Sequence, residues 1–193
     1  MAIAIEKHTN TISLDEFLAL PETKPASEYI NGKIYQKPMP QAQHSRLATK
    51  FAGVINDRGE PDFLVSAFCE LRCKFGGRAI VPDVVVLEWE HIALDENDEP
   101  INKIEIPPDW LIEILSPDQS SIMAIDKIDF SLKHGSKLGW LIAPEERVIL
   151  ANQGNGLIYY QGTDILPVLD ILGDWQLSVQ DVFNILKYKR KAG

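Results

Sequence analysis

No stretch of this chain approaches the roughly 18–20 uninterrupted apolar residues of a membrane-spanning helix. Met1 to Asn10 lacks the basic start and apolar middle of a signal peptide, so the cytoplasm is the expected compartment and no membrane association is expected. Basic residues are scarce: 19 Lys and Arg stand against 28 Asp and Glu, a formal net charge of -9. That balance argues against a protein that grips nucleic acid by its overall field. The objection weakens once the charge is located. Residues 88–109 hold Glu88, Glu90, Asp95, Glu96, Asp98, Glu99, Glu105 and Asp109 against a single base, Lys103, so most of the excess sits in one segment.

Cysteine is limited to Cys69 and Cys73, and the four histidines are scattered. There is no His-Glu-x-x-His, no glycine-rich phosphate loop and no Gly-x-Ser-x-Gly elbow, so a zinc hydrolase is not expected. No repeat, linker or composition shift divides the chain. With 193 residues, 45% of them hydrophobic, it is expected to form one domain over residues 1–193 with a full core.

What is present is organised around two apolar runs, each carrying one acid: Arg78-Ala-Ile-Val-Pro-Asp-Val-Val-Val-Leu87 and Asp109-Trp-Leu-Ile-Glu-Ile-Leu-Ser-Pro117. Both read as strands covered on both faces. A lone carboxylate in such a place neutralises, pairs or ligates a metal. Asp83 and Glu113 on neighbouring strands therefore point to a hard-cation site.

Around these runs, Ser13-Leu-Asp-Glu16 matches a capping box opening a short helix that ends before Pro21. Asn31-Gly32 between β-prone pairs predicts a hairpin with Glu28 opposite Tyr35, and leaves open whether Glu28 is a solvated edge residue. A helix after Pro40 places Leu47, Ala48, Phe51, Val54 and Ile55 on one face and stops at Gly59. His44 shares that face, as a hydrogen-bonded structural residue or one aimed at a site beneath. Phe63 to Phe75 alternates as one long strand, which puts Cys69 and Cys73 about 13 Å apart. That excludes a disulfide between them and predicts two buried thiols. Gly76-Gly77 then makes a tight turn whose register sets Glu70 opposite Asp83. Like charges so placed need a cation, Arg72 or a bulge between them. Residues 88–109 read as a long exposed connection whose charge serves solvation.

A helix is expected from Ser120 to His134, stopped by Gly135, with Lys127 flanking its apolar face either as a snorkelling residue or as a site residue. Leu138 to Ala143 and Val148 to Ala151 read as strands, the second forming a hairpin with Gly156 to Gln161. Ser178-Val-Gln-Asp181 caps a last helix through Leu186, and Lys187 to Lys191 suits its C-terminal dipole and a frayed tail.

Taken in order, Glu28-Tyr-Ile-Asn-Gly32, Gln43-His44, Val81-Pro-Asp-Val-Val-Val86, Ile112-Glu-Ile-Leu-Ser-Pro117, Lys127 and Gly139-Trp-Leu-Ile142 resemble the Uma2 family, also called DUF820, over residues 13–186. The resemblance implies the PD-(D/E)xK restriction-endonuclease-like superfamily: an α/β (mixed α+β) fold with a mixed central sheet flanked by helices, here with added N-terminal and C-terminal hairpins. It implies an endonuclease dependent on Mg²⁺ or Mn²⁺ that leaves 5′-phosphate and 3′-hydroxyl ends. Asp83 would take the aspartate position and Glu113 the acidic position of the (D/E)xK element. The lysine expected two residues later is Leu115, and Lys127 on the following helix matches instead. On this reading Asp83 and Glu113, with Glu70 or Glu28, hold the metal, Lys127 positions the attacking water, and His44 assists proton transfer or contacts the phosphate. Nucleic acid, DNA first, would be held by Arg46, Lys50, Arg72, Lys74 and Arg78, and a homodimer is expected. The alternative is a catalytically silent nuclease-like module that binds a partner or serves as a structural subunit, favoured by Leu115 and the acidic surface.

Overall fold

Local chemistry places the first elements. In the computed structural model, which describes residues 12–117 and 119–188, Ser13 and Glu16 form the expected reciprocal cap, opening helix α1 (Leu14–Leu18). Asn31 and Gly32 both take positive φ, 52° and 81°, which a two-residue hairpin turn requires. They join β1 (Ser27–Ile30) to β2 (Lys33–Gln36), and Glu28 faces Tyr35. Helix α2 (Ala42–Gly59) follows, burying Leu47, Ala48, Phe51 and Ile55. The stretch Met1 to Asn10, and Lys189 to Lys191 of the expected tail, lie outside the described residues.

The long strand expected over Phe63 to Phe75 is two strands, β3 (Val65–Cys69) and β4 (Cys73–Phe75). The Gly76-Gly77 turn leads into β5 (Arg78–Ile80) and β6 (Val84–Glu88). The predicted register holds throughout: Phe75 pairs with Arg78 and Cys69 with Val84. The ladder breaks at its middle, where Glu70 adopts φ 51° and Pro82 can donate no hydrogen bond. The hairpin bends there from one sheet into another.

Beyond it lie β7 (Trp110–Ile114), α3 (Ser121–Lys133), β8 (Leu138–Ala143), β9 (Val148–Asn152), β10 (Ile158–Gln161) and α4 (Val179–Asn184), the last with the expected Ser178–Asp181 cap. The larger sheet has the order β10-β9-β8-β7-β6-β3, and only β7 and β8 run parallel, joined by α3. The smaller sheet, β2-β1-β5-β4, carries the N-terminal hairpin. The fold is thus the expected mixed α+β arrangement with both hairpins, but the N-terminal hairpin builds a second sheet.

Strand alternation sorts the core. Val84, Val86, Trp110, Ile112 and Ile114 pack with Leu47, Phe51 and Ile55 of α2. Leu111 and Leu141 pack on the opposite face with Ala124 and Ile128 of α3. Glu113, two residues from Leu111, therefore lies under α3. Gly139 permits the close approach of that helix, since a Cβ there would fall 2.5 Å from Ile128 Cγ2.

Two expectations about burial change. Cys69 is exposed, because the bend at Glu70 carries the end of β3 out of the core, whereas Cys73 is fully buried. Partial desolvation of its thiol raises the Cys69 pKa even though the residue is exposed, with the Glu70 and Asp83 charges adding to the effect, and full burial pushes Cys73 to about 12. An aromatic disulfide reagent at pH 8 should therefore modify Cys69 alone, and slowly, with Cys73 reacting only after denaturation. Peptide mapping reads the site; equal labelling of both in the folded protein would contradict this burial. In the acidic connection, Glu88 and Asp109 are buried, not solvating, because Lys137 and His91 pair with them.

Candidate active site

The break between β5 and β6 creates the first part of the site. The β6–β7 register carries Ile114 opposite Pro82, past the end of β6. Asp83 fills the gap: its Oδ2 accepts the Ile114 amide at 2.7 Å and lies 3.1 Å from His44 Nε2. Its Oδ1 accepts Lys37 Nζ at 2.6 Å, and the same ammonium donates to the Val81 carbonyl at 2.8 Å.

Glu113 and Glu28 form the second part. Lys127, at 3% exposure, reaches down from α3 and donates to Glu113 Oε2 at 2.9 Å and to Glu28 Oε1 at 3.0 Å. Glu28 Oε1 also accepts the Val81 amide at 2.8 Å, tying the hairpin to the start of the Asp83 run. Glu28 is buried and not a solvated edge residue, and Lys127 does not snorkel.

Three buried carboxylates with two ammonium groups make an electrostatically tight cluster. Burial works against the Asp83 charge, but His44 and Lys37 outweigh it and hold the carboxyl well below the usual carboxylate range. Burial pushes Glu113 up to about 7 against the pull of Lys127, and the Asp83 charge adds to the rise. For Lys127 burial disfavours the charge, yet Glu113 and Glu28 overcome it and raise its pKa, so it remains an ammonium. Within this cluster, two buried atoms have no hydrogen-bond partner among the described residues: Glu113 Oε1 and His44 Nδ1. A buried carboxylate oxygen without a donor is costly. Its hard-oxygen character, beside Asp83, fits a divalent cation such as Mg²⁺ or Mn²⁺.

The structure thus brings together Asp83, Glu113, Lys127, His44 and Glu28. It does not bring Glu70 to them. Its amide donates to the Asp83 carbonyl at 3.2 Å, so the predicted opposition exists in the backbone, but its side chain is exposed. The five basic residues are also dispersed. Arg46 donates to the Ile185 carbonyl and stacks on Tyr188; Arg72 pairs with Glu22, Lys74 with Glu105, and Arg78 with Asp126 while lying over Phe130. Lys50 is exposed on α2.

Lys37 is the site residue that sequence reasoning missed. It had a signal: two residues after Tyr35, it shares the hairpin face with Glu28. A separate cluster, Glu88, His91 and Asp109, presents ligand atoms within 4.8 Å of one another. It lies at the opposite ends of β6 and β7, and Lys137 Nζ already stands 2.6 Å from Glu88 Oε2.

Comparison with known proteins bears on the family and the fold. No curated protein matches the chain. The crystal structure of a "putative nuclease belonging to DUF820" from Anabaena variabilis ATCC 29413 is similar to it, with TM-score 0.88 and 45% identity over 91% of this chain and 99% of that one. The profile of the Uma2 family, described as "Putative restriction endonuclease", matches residues 14–180. With that match spanning most of its length, the chain belongs to the Uma2 family.

Proposed function

We propose that this chain is an endonuclease, dependent on Mg²⁺ or Mn²⁺, that hydrolyses phosphodiester bonds of nucleic acid, with DNA as the first candidate. The carrying observation is the buried charge cluster: Glu113 and Glu28 joined by Lys127, Asp83 held beside them by Lys37 and His44, and Glu113 Oε1 unpartnered. Asp83 and Glu113 would hold the ion, with Glu28 beside them. When bound, such an ion supplies Lewis acidity, acidifying a water and polarising the scissile phosphate. Lys127 Nζ, already fixed by two carboxylates, orients the attacking water and offsets charge building on the phosphate oxygens. His44 stands in the wall of a groove of about 560 Å³ that also includes Gln43, Leu115, Pro117 and Arg147. On this reading its imidazole, hydrogen-bonded to Asp83, contacts the phosphate or carries a proton. Water adds to phosphorus and the bond to the 3′ oxygen breaks, leaving a 5′-phosphate and a 3′-hydroxyl. The same reading makes residues 1–193 a single domain acting as a homodimer in the cytoplasm.

One observation favours the rival reading of a catalytically silent nuclease-like module. Four of the five candidate nucleic-acid-binding bases are engaged within the chain. Cleavage of supercoiled plasmid with Mn²⁺ separates the two. Wild type should nick the plasmid and Asp83→Asn should lose at least about a hundredfold in rate, the scale of removing one group that acts in the transition state. Equal behaviour of the two proteins, active or inert, would remove the support for a nuclease on this substrate.

A further inference from the structure

We infer that Lys37 and the divalent cation compete for Asp83, so that ion binding requires the lysine to withdraw from the carboxylate. The inference rests on the metal-dependent reading above and concerns what controls entry of the ion.

Asp83 has little capacity left for another cation. Oδ2 is taken by the Ile114 amide and His44, and Oδ1 by Lys37 at 2.6 Å. The two lysines of the site are built differently. Lys127 belongs to a helix packed on the sheet and pairs with two carboxylates. Lys37 lies past the end of β2, pairs with one carboxylate and one carbonyl, and precedes the irregular stretch from Pro38 to Pro40. Both lysines line a groove of about 300 Å³ with Tyr35, Gln36, Gln119 and Met123, so the singly paired Lys37 side chain has room to leave Asp83, whereas Lys127 is held by two carboxylates.

Charge points the same way. Glu28, Asp83 and Glu113 face Lys37 and Lys127, three carboxylates against two ammonium groups, with the His44 imidazole alongside. A dication added with Lys37 still in place would bring like charges together at Asp83. A dication that replaces it leaves the carboxylates balanced by Lys127 and the ion. Lys37, once withdrawn into the groove, is a free ammonium at the edge of the site, suited to a phosphate oxygen.

Calorimetric titration with Mn²⁺ of wild type, Lys37→Met, Asp83→Asn and the double variant tests this, with Lys37→Gln as a second variant should Lys37→Met fold poorly. Removing Lys37 should lower the Kd for Mn²⁺ at least about tenfold, and adding Asp83→Asn should cancel the gain. Thermal melts give an independent readout: Lys37→Met should melt below wild type without Mn²⁺, and the gap should close at saturating Mn²⁺. An unchanged or raised Kd in Lys37→Met, with wild type binding normally, overturns the competition and leaves the metal site standing. Absence of Mn²⁺ binding in wild type and both Lys37 variants overturns the competition and the metal-dependent reading together.

Discussion

Lys127→Met should destabilise the fold by about 3–5 kcal/mol at pH 8, the scale of removing one partner from a buried ion pair. For a chain of this size that is a fall of roughly 6–20 °C in Tm, at about 2–4 °C per kcal/mol. The cause is the pair of carboxylates left behind, Glu113 and Glu28, each held by Lys127 in a place water does not reach. The deficit should shrink on acidification. Glu113 is raised to about 7 even with Lys127 beside it, and must rise further without it. Between its unfolded and folded pKa values the native state holds a proton that the unfolded chain does not. The stabilisation from that proton is fully present below the unfolded value and is lost as pH rises through the folded one. Melts of both proteins from pH 5 to pH 8 check the sign. Glu113→Gln in the Lys127→Met background should recover part of the loss at pH 8. A deficit equal at pH 5 and pH 8 would assign the cost to lost packing instead of charge.

Trp140→Ala should cost a similar amount, about 3–5 kcal/mol, for a different reason. Trp140 is fully buried on β8, stacked on Phe51 of α2 at 5.6 Å between ring centroids and edge-on to Trp110 of β7 at 4.6 Å. Its Nε1 donates to the Pro167 carbonyl at 3.1 Å, pinning the chain that leads to α4. Truncation leaves a cavity and an unpaired carbonyl and loosens α2, the helix that carries His44. Trp140→Phe keeps a ring against Phe51 and loses the hydrogen bond and some packing, so about 1–2 kcal/mol is expected. Urea unfolding of the three proteins measures both differences. If the alanine variant loses under about 1 kcal/mol, the stack does not hold α2 to the sheet.

Interactions between near neighbours in the chain can be read from the sequence, and those made across the fold cannot. The Asn31-Gly32 and Gly76-Gly77 turns, both Ser-led capping boxes and the face of α2 all follow from residues within one or two turns of each other. So does the placement of Glu113 on the face of Leu111, because alternation along a strand is a local property. The division of Phe63 to Phe75 between two sheets was not legible. It depends on Glu70 in a left-handed conformation facing the break that Pro82 makes in the partner strand. The burial of Glu88 and Asp109 was hidden likewise, since their partner Lys137 lies beyond α3.

The sequence by itself determined most of the elements, though not the split of Phe63 to Phe75 between two strands, together with the two acids in apolar strands and the family pattern that runs through them. Only the tertiary structure decided which cation meets which acid. Lys127 reaches Glu28 across 99 residues of chain and Lys37 reaches Asp83 across 46. Propensity and turn chemistry act over a few neighbouring residues, whereas a charge pair is strong only within a few ångströms and out of water. Those distances arise when sheets and helices pack, and they selected Lys37, whose hairpin face the alternation gives but whose partner it does not, over Glu70, which the register alone had favoured.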